Sequence, residues 1–148
     1  MGYETDLQDI KDDNFKEKKR HWKGNITKTI MGIKVELIEK KDENQQASLP
    51  FYSNNIFAYV TFNKKIKNLH QLALYDTKTH ERVKDFDWNH QHGKFKKGDL
   101  HVHDYGVGNF KNRKEIEPRE PTKEEIIFIK QVFKEFGYDY TKAIYDKD

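Results

Sequence analysis

The sequence contains no cysteine and no long apolar run. The absence of cysteine excludes disulfides and every zinc site that needs a thiolate ligand. No stretch reaches the roughly 18 apolar residues of a membrane-spanning helix, and the first 25 residues are charged throughout, without the apolar segment of a signal peptide. We therefore expect a soluble protein of the cytoplasm. The net charge of +3 is small, so overall charge alone does not indicate a nucleic-acid partner.

The 148 residues correspond to the length of one domain. Charged residues make up 36% of the chain and hydrophobic residues 34%, which predicts a modest core with polar ends. The aromatic share of 14% partly compensates, because each buried ring removes a large apolar area from water. We predict a polar N-terminal arm over residues 1–24, either mobile or a peripheral helix. A single α+β domain should follow over residues 25–137, with a C-terminal tail over residues 138–148.

Several short segments alternate apolar and polar residues at period two, which is typical of strands with one buried face. The predicted strands cover residues 25–40, 55–62, 69–76, 82–92 and 99–105, with a basic hairpin loop over residues 93–98. A helix is predicted after Thr122, because Thr122 and Glu125 fit a capping box and Gly137 suits the C-terminal end. The fold class is therefore α+β: an antiparallel sheet of about five strands with the C-terminal helix packed on one face.

Four of the seven histidines lie close together in the sequence: His90, His92, His101 and His103. Each pair has the spacing His-x-His on a predicted strand, so both rings of a pair point to the same side. The simplest register, centred on the loop, gives three pairs: His90 with His101, His92 with Asp99, and Trp88 with His103. All four imidazoles then share one side of the hairpin, while Leu100 and Val102 occupy the other.

Clustered imidazoles support two kinds of chemistry. Because imidazole titrates near neutrality, one ring can accept a proton while another donates one, as cleavage of RNA by its own 2′-hydroxyl requires. Alternatively, the two His-x-His pairs with Asp99 or Asp104 offer nitrogen and oxygen ligands for Zn, Ni, Mn or Fe. A third interpretation is a polar strand face whose histidines pair only with carboxylates. The remaining histidines are isolated in the sequence and are interpreted as structural: His21, His70 and His80.

Residues near the cluster could hold a substrate. Cationic side chains for phosphate come from the loops on either side of the second histidine pair: Lys94, Lys97 and Arg113. The rings of Trp88 and Tyr105 could stack on a base, although packing within the protein is the more ordinary role for each. Asp85 and Asp87 form an Asp-x-Asp pair of candidate metal ligands, but the preferred register turns both away from the histidines.

The segment Asp87-Trp88-Asn89, followed by His90, His92 and the run from Asp99 to His103, resembles the TumE-type small toxins of bacterial toxin–antitoxin pairs. The resemblance covers residues 85–104 most closely and residues 55–137 loosely. It implies a prokaryotic mobile-element or phage setting, a neutralising antitoxin and a nuclease-like activity. It singles out His101 and His103, and Asn89 to a lesser degree. Trp88 interrupts the expected Tyr–Asp order and the loop is longer, which also fits a related accessory protein without toxicity.

These observations lead to one functional hypothesis and one alternative. The hypothesis is a metal-independent, toxin-like ribonuclease in which His101 and His103 are the acid–base pair. His90 and Asp99 would orient the imidazoles, and Lys97, Lys94 and Arg113 would hold phosphate. The alternative is a phage or plasmid accessory protein without catalysis, which binds nucleic acid or a protein, or a divalent transition metal. In the metal version the ligands would be the four clustered histidines: His90, His92, His101 and His103.

Overall fold

The computed structural model describes residues 3–145, except for the side chains of residues 3–8 and residue 25. The chain forms two α-helices and six strands: α1 Tyr3–Lys19, β1 Trp22–Ile30, β2 Ile33–Lys40, β3 Ala58–Asn63, β4 Asn68–Tyr75, β5 Arg82–Asp87, β6 His101–Asp104 and α2 Lys123–Phe136. Two short 3-10 helices span Phe110–Glu115 and Tyr140–Lys142. The fold class is α+β, as the sequence predicts.

The strands form one mostly antiparallel sheet in the order β1-β2-β3-β4-β5-β6. It has six strands instead of about five, because residues 25–40 contain a hairpin that the sequence analysis treated as one strand. Met31 and Gly32 form its turn with φ values of 50° and 80°, the left-handed geometry that tight hairpins require. The pair β2–β3 is parallel, contrary to the expected antiparallel sheet. A parallel pair needs a long connection, and residues 41–57 carry the chain back to the end of the sheet where β2 begins.

One face of the sheet is covered by α2. Cross-strand partners place a continuous apolar row on this face: Leu37, Val60, Leu72, Phe86 and Val102. The buried side of α2 joins the same core, where Phe128 contacts Phe86 and Phe133 contacts Trp88. The predicted capping box is confirmed, with Thr122 and Glu125 bonding each other's backbone N–H, and Gly137 ends the helix with a φ of 81°.

The opposite face has a smaller apolar cluster at its β1–β4 end and polar residues towards β6. Trp22, Ile38, Tyr59 and Tyr75 belong to this cluster. Helix α1 reaches the same face through Lys19, which lies over the ring of Tyr59 and pairs with Glu36 at 3.3 Å. The histidines of β6 lie on this face, so the fold leaves them outside the core that α2 covers.

The two chain ends contact the folded domain where they are described. The predicted polar arm contains α1, and the predicted tail contains Ile144, which is buried in the core beneath α2. Residues 1–2 of the arm and residues 146–148 of the tail lie outside the described residues. Between residues 3 and 145, no helix has both the length and the apolar character needed to cross a membrane.

Candidate metal centre

The hairpin of β5 and β6 has a different register from the predicted one. Asp87 pairs with His101 and Asp85 with His103, whereas Trp88 was expected opposite His103. Strand β5 ends at Asp87 because Trp88 turns into the core, where its indole N–H donates to the Leu69 carbonyl at 3.1 Å. The loop is therefore longer than the sequence analysis assumed. The changed register brings Asp85 and Asp87 to the histidine side of the sheet, so their predicted orientation away from the histidines is wrong.

The four imidazoles nevertheless form one cluster, as predicted. Their ring centroids are 5.4 Å apart for His90 and His101, 4.8 Å for His92 and His103, 5.4 Å for His101 and His103, and 6.1 Å for His90 and His92. The two pairs differ in setting. His101 and His103 lie on β6 and are buried, whereas His90 and His92 lie on the loop and are exposed.

His101 is the most enclosed member, with none of its surface exposed. Its ring stacks against Phe95 at 5.1 Å, and its Nδ1 lies 3.0 Å from the carbonyl oxygen of Asp99. A carbonyl can only accept, so Nδ1 carries the hydrogen and the neutral ring keeps its lone pair on Nε2. That buried Nε2 has no hydrogen-bond partner among the described residues. The chain therefore fixes the tautomer that can bind a metal and leaves the binding atom without a protein donor.

Asp99 does orient an imidazole, but through its backbone. Its carbonyl oxygen accepts from His101, whereas its carboxylate accepts the backbone N–H of Lys96 at 3.0 Å. The expected carboxylate contact with the cluster is instead made by Asp87, whose Oδ2 lies 3.4 Å from Nε2 of His103. His103 is 7% exposed, and its other side stacks on Tyr105 at 6.2 Å.

A second layer of polar contacts supports this face of β5 and β6. The hydroxyl of Tyr105 donates to Asp85 at 2.8 Å, and Arg82 donates to the same carboxylate at 2.7 Å. Asp85, Tyr105 and Arg82 are all buried, so each contact replaces a water that burial has removed. The network holds Asp85 in place beside Asp87 and keeps the ring of Tyr105 against His103.

Burial shifts the protonation of the cluster towards its neutral forms. It raises the pKa of Asp87 to about 7, with Asp85 adding to the rise and Arg82 opposing it. Burial also lowers the pKa of His103 to about 4, and the neighbouring His92 and His101 lower it further. The pKa of His101 is lowered chiefly by burial, with the Asp99 carbonyl opposing. Near neutral pH His101 and His103 are therefore neutral and present lone pairs.

These residues form a candidate ligand set for a metal ion. One ligand atom each from Asp87, His101 and His103 lies within 4.8 Å of the other two. Zinc bonds to such atoms are about 2.0–2.2 Å long, so the three side chains would draw together around an ion. Two imidazoles and one carboxylate suit Zn, Fe, Mn or Ni and leave coordination positions open. His92, whose ring centroid is 4.8 Å from that of His103, lies beside this set.

The residues predicted to hold substrate fall into two groups. Trp88 and Tyr105 are buried, which favours packing within the protein over stacking on a base. Lys94 lies over the ring of Phe95 at 5.3 Å, and Phe95 in turn stacks on His101. Lys97 is exposed and lines a cavity with Asn89 and Gly98.

Arg113 is held elsewhere by its own contacts. Its guanidinium stacks on Phe110 at 4.6 Å and on Phe51 at 5.3 Å, and it donates to the Phe110 carbonyl. Phe110 and Phe51 both lie outside the histidine hairpin. The predicted role of Arg113 in phosphate binding is therefore supported by none of the contacts it makes.

The sequence analysis missed the part that Asp87 plays in the cluster. The Asp-x-Asp spacing was noted, but its side of the sheet depends on the strand register, which a one-residue change reverses. The useful signal was Trp88, a large side chain directly after Asp87. If Trp88 is placed in the core, Asp85 and Asp87 must face the opposite side.

Comparisons with known proteins give no independent identification. No protein-family model matches the chain, and neither curated proteins nor solved structures show significant similarity to it.

Proposed function

We propose that this protein binds a divalent transition metal through Asp87, His101 and His103, and that the metal centre hydrolyses RNA. The observation that carries the proposal is the buried Nε2 of His101, which has no described partner while Nδ1 is committed to a carbonyl. Leaving such an atom unpaired costs about 1–3 kcal/mol. Metal-binding histidines typically show this arrangement, with the second ring nitrogen donating to a backbone carbonyl.

The hydrolytic role follows from the open side of the cluster. A divalent metal with an open coordination position supplies an activated water for hydrolysis. In such a hydrolysis the oxygen of water would form the new bond to phosphorus, and the bond from phosphorus to the leaving oxygen would break. One of the exposed imidazoles, His90 or His92, accepts the proton of the water, and the other protonates the leaving oxygen. Lys94 and Lys97 are exposed on the same loop and provide positive charge for the phosphate.

A metal-free ribonuclease remains the second candidate, but with a different acid–base pair from His101 and His103. Its acid and base must reach the substrate, and His101 is fully buried. The exposed pair His90 and His92, with ring centroids 6.1 Å apart, meets that requirement better than His101 and His103. The toxin-like role and the antitoxin partner also stay proposals, supported by the resemblance of the histidine segment to TumE-type toxins.

Metal binding is tested by measuring the metal content of the purified protein and its affinity for Zn²⁺ by calorimetry. We expect one ion per chain, with affinity lowered at least about 100-fold in Asp87→Asn and in His103→Gln, because each loses a ligand. Asp87→Asn keeps the size of the side chain, so loss of fold does not confound it. The matched control is His21→Gln, which removes an imidazole outside the cluster. Equal affinity in the ligand variants and the control would contradict the proposal.

The activity is tested with a labelled single-stranded RNA. The metal proposal expects cleavage that EDTA abolishes and Zn²⁺ or Mn²⁺ restores. Cleavage that persists in EDTA, and is lost in His90→Ala/His92→Ala, would support the metal-free candidate instead. Stoichiometric metal without any cleavage would favour a non-catalytic accessory protein. Growth arrest on expression in bacteria, absent in Asp87→Asn, would support the toxin-like role.

A further inference from the structure

A row of polar side chains crosses the sheet on the histidine face. Thr61 on β3 pairs with Gln71 on β4, which pairs with Asp87 on β5, which pairs with His101 on β6. We call these four residues the polar row. Its two ends share an unusual property: the hydroxyl of Thr61 and Nε2 of His101 are both buried and lack a hydrogen-bond partner among the described residues. The metal centre explains the His101 end, but it leaves the Thr61 end unexplained.

A cavity of about 260 Å³ lies at the Thr61 end of the row. Its lining includes Thr61 and Gln71 from the row, with three lysines around them: Lys40, Lys64 and Lys65. Thr61 is only 2% exposed. Two carboxylates also line the cavity, and one of them, Glu39, is already paired with Lys23 at 3.1 Å. The cavity thus combines uncharged hydrogen-bonding groups with three ammonium groups and the second carboxylate, Glu43.

Neighbouring side chains connect this cavity to the histidine cluster. His70 lines the cavity, and its pKa is lowered first by burial and then by its neighbours His90, Lys40 and Lys97. His90 also lies in the cluster, 5.4 Å from His101 between ring centroids. Because Gln71 lines the cavity and pairs with Asp87, the cavity and the candidate metal centre are neighbouring parts of one face of the sheet. The exposed Lys94 and Lys97 add positive charge on the histidine loop.

We propose that the polar row is the floor of a groove that binds single-stranded RNA. A phosphate of the strand occupies the lysine end, and the scissile phosphate lies at the metal centre. This placement of the scissile phosphate rests on the proposed function. Lysines suit phosphate, and a buried hydroxyl beside an amide suits the 2′-hydroxyl that distinguishes RNA from DNA. A cavity of about 260 Å³ admits a nucleotide but not a double helix.

The length of the row favours a strand over a mononucleotide. Three interstrand spacings separate Thr61 from His101, a distance of about 14 Å. A single phosphate group can touch only one end of such a row. A strand with phosphates at successive nucleotides is long enough to contact the lysine end and the metal centre together.

The proposal is tested with the full chain and a fluorescent single-stranded RNA of about ten nucleotides, a length within the usual site sizes. Anisotropy in EDTA measures binding without metal-dependent cleavage. We expect Lys64→Gln/Lys65→Gln to weaken binding about tenfold and to reduce the salt dependence, as a log–log slope, by about 1.4. The control is Lys123→Gln/Lys134→Gln, which removes two exposed lysines from α2 on the opposite face. Equal weakening in both pairs, or none in either, would overturn the groove.

A second variant tests recognition of the sugar. Thr61→Val keeps the size of the side chain and removes the hydroxyl, so we expect a several-fold loss of preference for RNA over DNA of the same sequence. Wild-type protein that binds single-stranded DNA, duplex RNA or inorganic phosphate as well as single-stranded RNA would overturn the proposal. Metal binding separates the two proposals. If the protein binds metal but the lysine variants bind RNA as well as the wild type does, the groove proposal alone is wrong. If RNA binding depends on the lysines but no metal binds, the metal-centre proposal alone is wrong.

Discussion

Two neighbouring rows of the same sheet differ in nearly every physical respect. The apolar row runs Leu37, Val60, Leu72, Phe86 and Val102. The residue beside each of these in its strand belongs to a second row on the other face, which runs Ile38, Thr61, Gln71, Asp87 and His101. On the apolar side α2 closes the face, whereas the other row becomes more polar from β2 to β6. The apolar row belongs to the core beneath α2, whereas the polar row lies outside that core.

Phe86→Ala should have the largest effect on stability. The Phe86 ring is 2% exposed and contacts Phe128 of α2, so its removal leaves a cavity that the helix cannot fill. We expect the free energy of unfolding to fall by about 3–5 kcal/mol, measured by urea denaturation. Gln71→Ala, in the polar row, is the comparison and should change it by less than about 1 kcal/mol. Similar losses in the two variants would break the contrast between the rows.

Zinc bound at the polar row should stabilise the folded wild-type protein. An ion that binds only the folded state, at 100 times its dissociation constant, raises the free energy of unfolding by about 2.7 kcal/mol. Thermal or urea unfolding with and without Zn²⁺ measures the gain. Asp87→Asn should lose most of the gain, because its amide is a poorer ligand than a carboxylate. A gain of the same size in Asp87→Asn would show that zinc binds elsewhere.

Thr61→Val should stabilise the protein without ligand, by about 1 kcal/mol. The hydroxyl of Thr61 is buried and unpaired among the described residues, so replacing it with a methyl group removes an unsatisfied polar atom. Urea denaturation measures the change, with Thr27→Val at an exposed position as the control. Destabilisation instead would mean that the hydroxyl is satisfied in solution, and the argument for a ligand at that end of the row would lose its basis.

Local features were predicted from the sequence better than the strand register and topology that define the two rows. Helix α2 carries its own evidence, because the cap at Thr122, the apolar spacing and Gly137 all act within one segment. The clustering of the four histidines was also predictable, since two His-x-His pairs flank one loop. Neither prediction needed knowledge of distant contacts.

Register and topology depend on distant contacts, which is why they were wrong. Strand β5 ends at Asp87 because Trp88 bonds to Leu69, a partner nineteen positions away. The sequence around Trp88 does not reveal that choice, and one step of register moves a carboxylate from one face to the other. The parallel pair β2–β3 likewise depends on where the segment over residues 41–57 packs. The position of Asp87 beside the histidines was not predicted for this reason, while the clustering of His101 and His103 was predicted from their spacing.

Glu125→Gln should have the smallest effect, confined to acid pH. Burial alone would raise the pKa of Glu125, but hydrogen bonds from Arg119, Lys84 and the Thr122 backbone hold it at about 2. Because this pKa is lower in the folded state, the carboxylate stabilises the protein above its ordinary pKa, and that contribution is lost as the pH falls from about 4.5 towards 2.

Glutamine keeps the capping box and loses the ion pairs. The free energy of unfolding near neutral pH should therefore fall by about 0.5–1 kcal/mol. The difference between wild type and variant should disappear towards pH 2, as measured by urea denaturation along a pH series. Asp104→Asn is a milder comparison, since this exposed carboxylate shares Arg119 at 3.0 Å without a role in the cap. A difference that persists at the lowest pH would mean that Glu125 stabilises α2 through packing rather than charge. The closure of the apolar face would then not depend on the ion pair that joins α2 to Lys84 of β5.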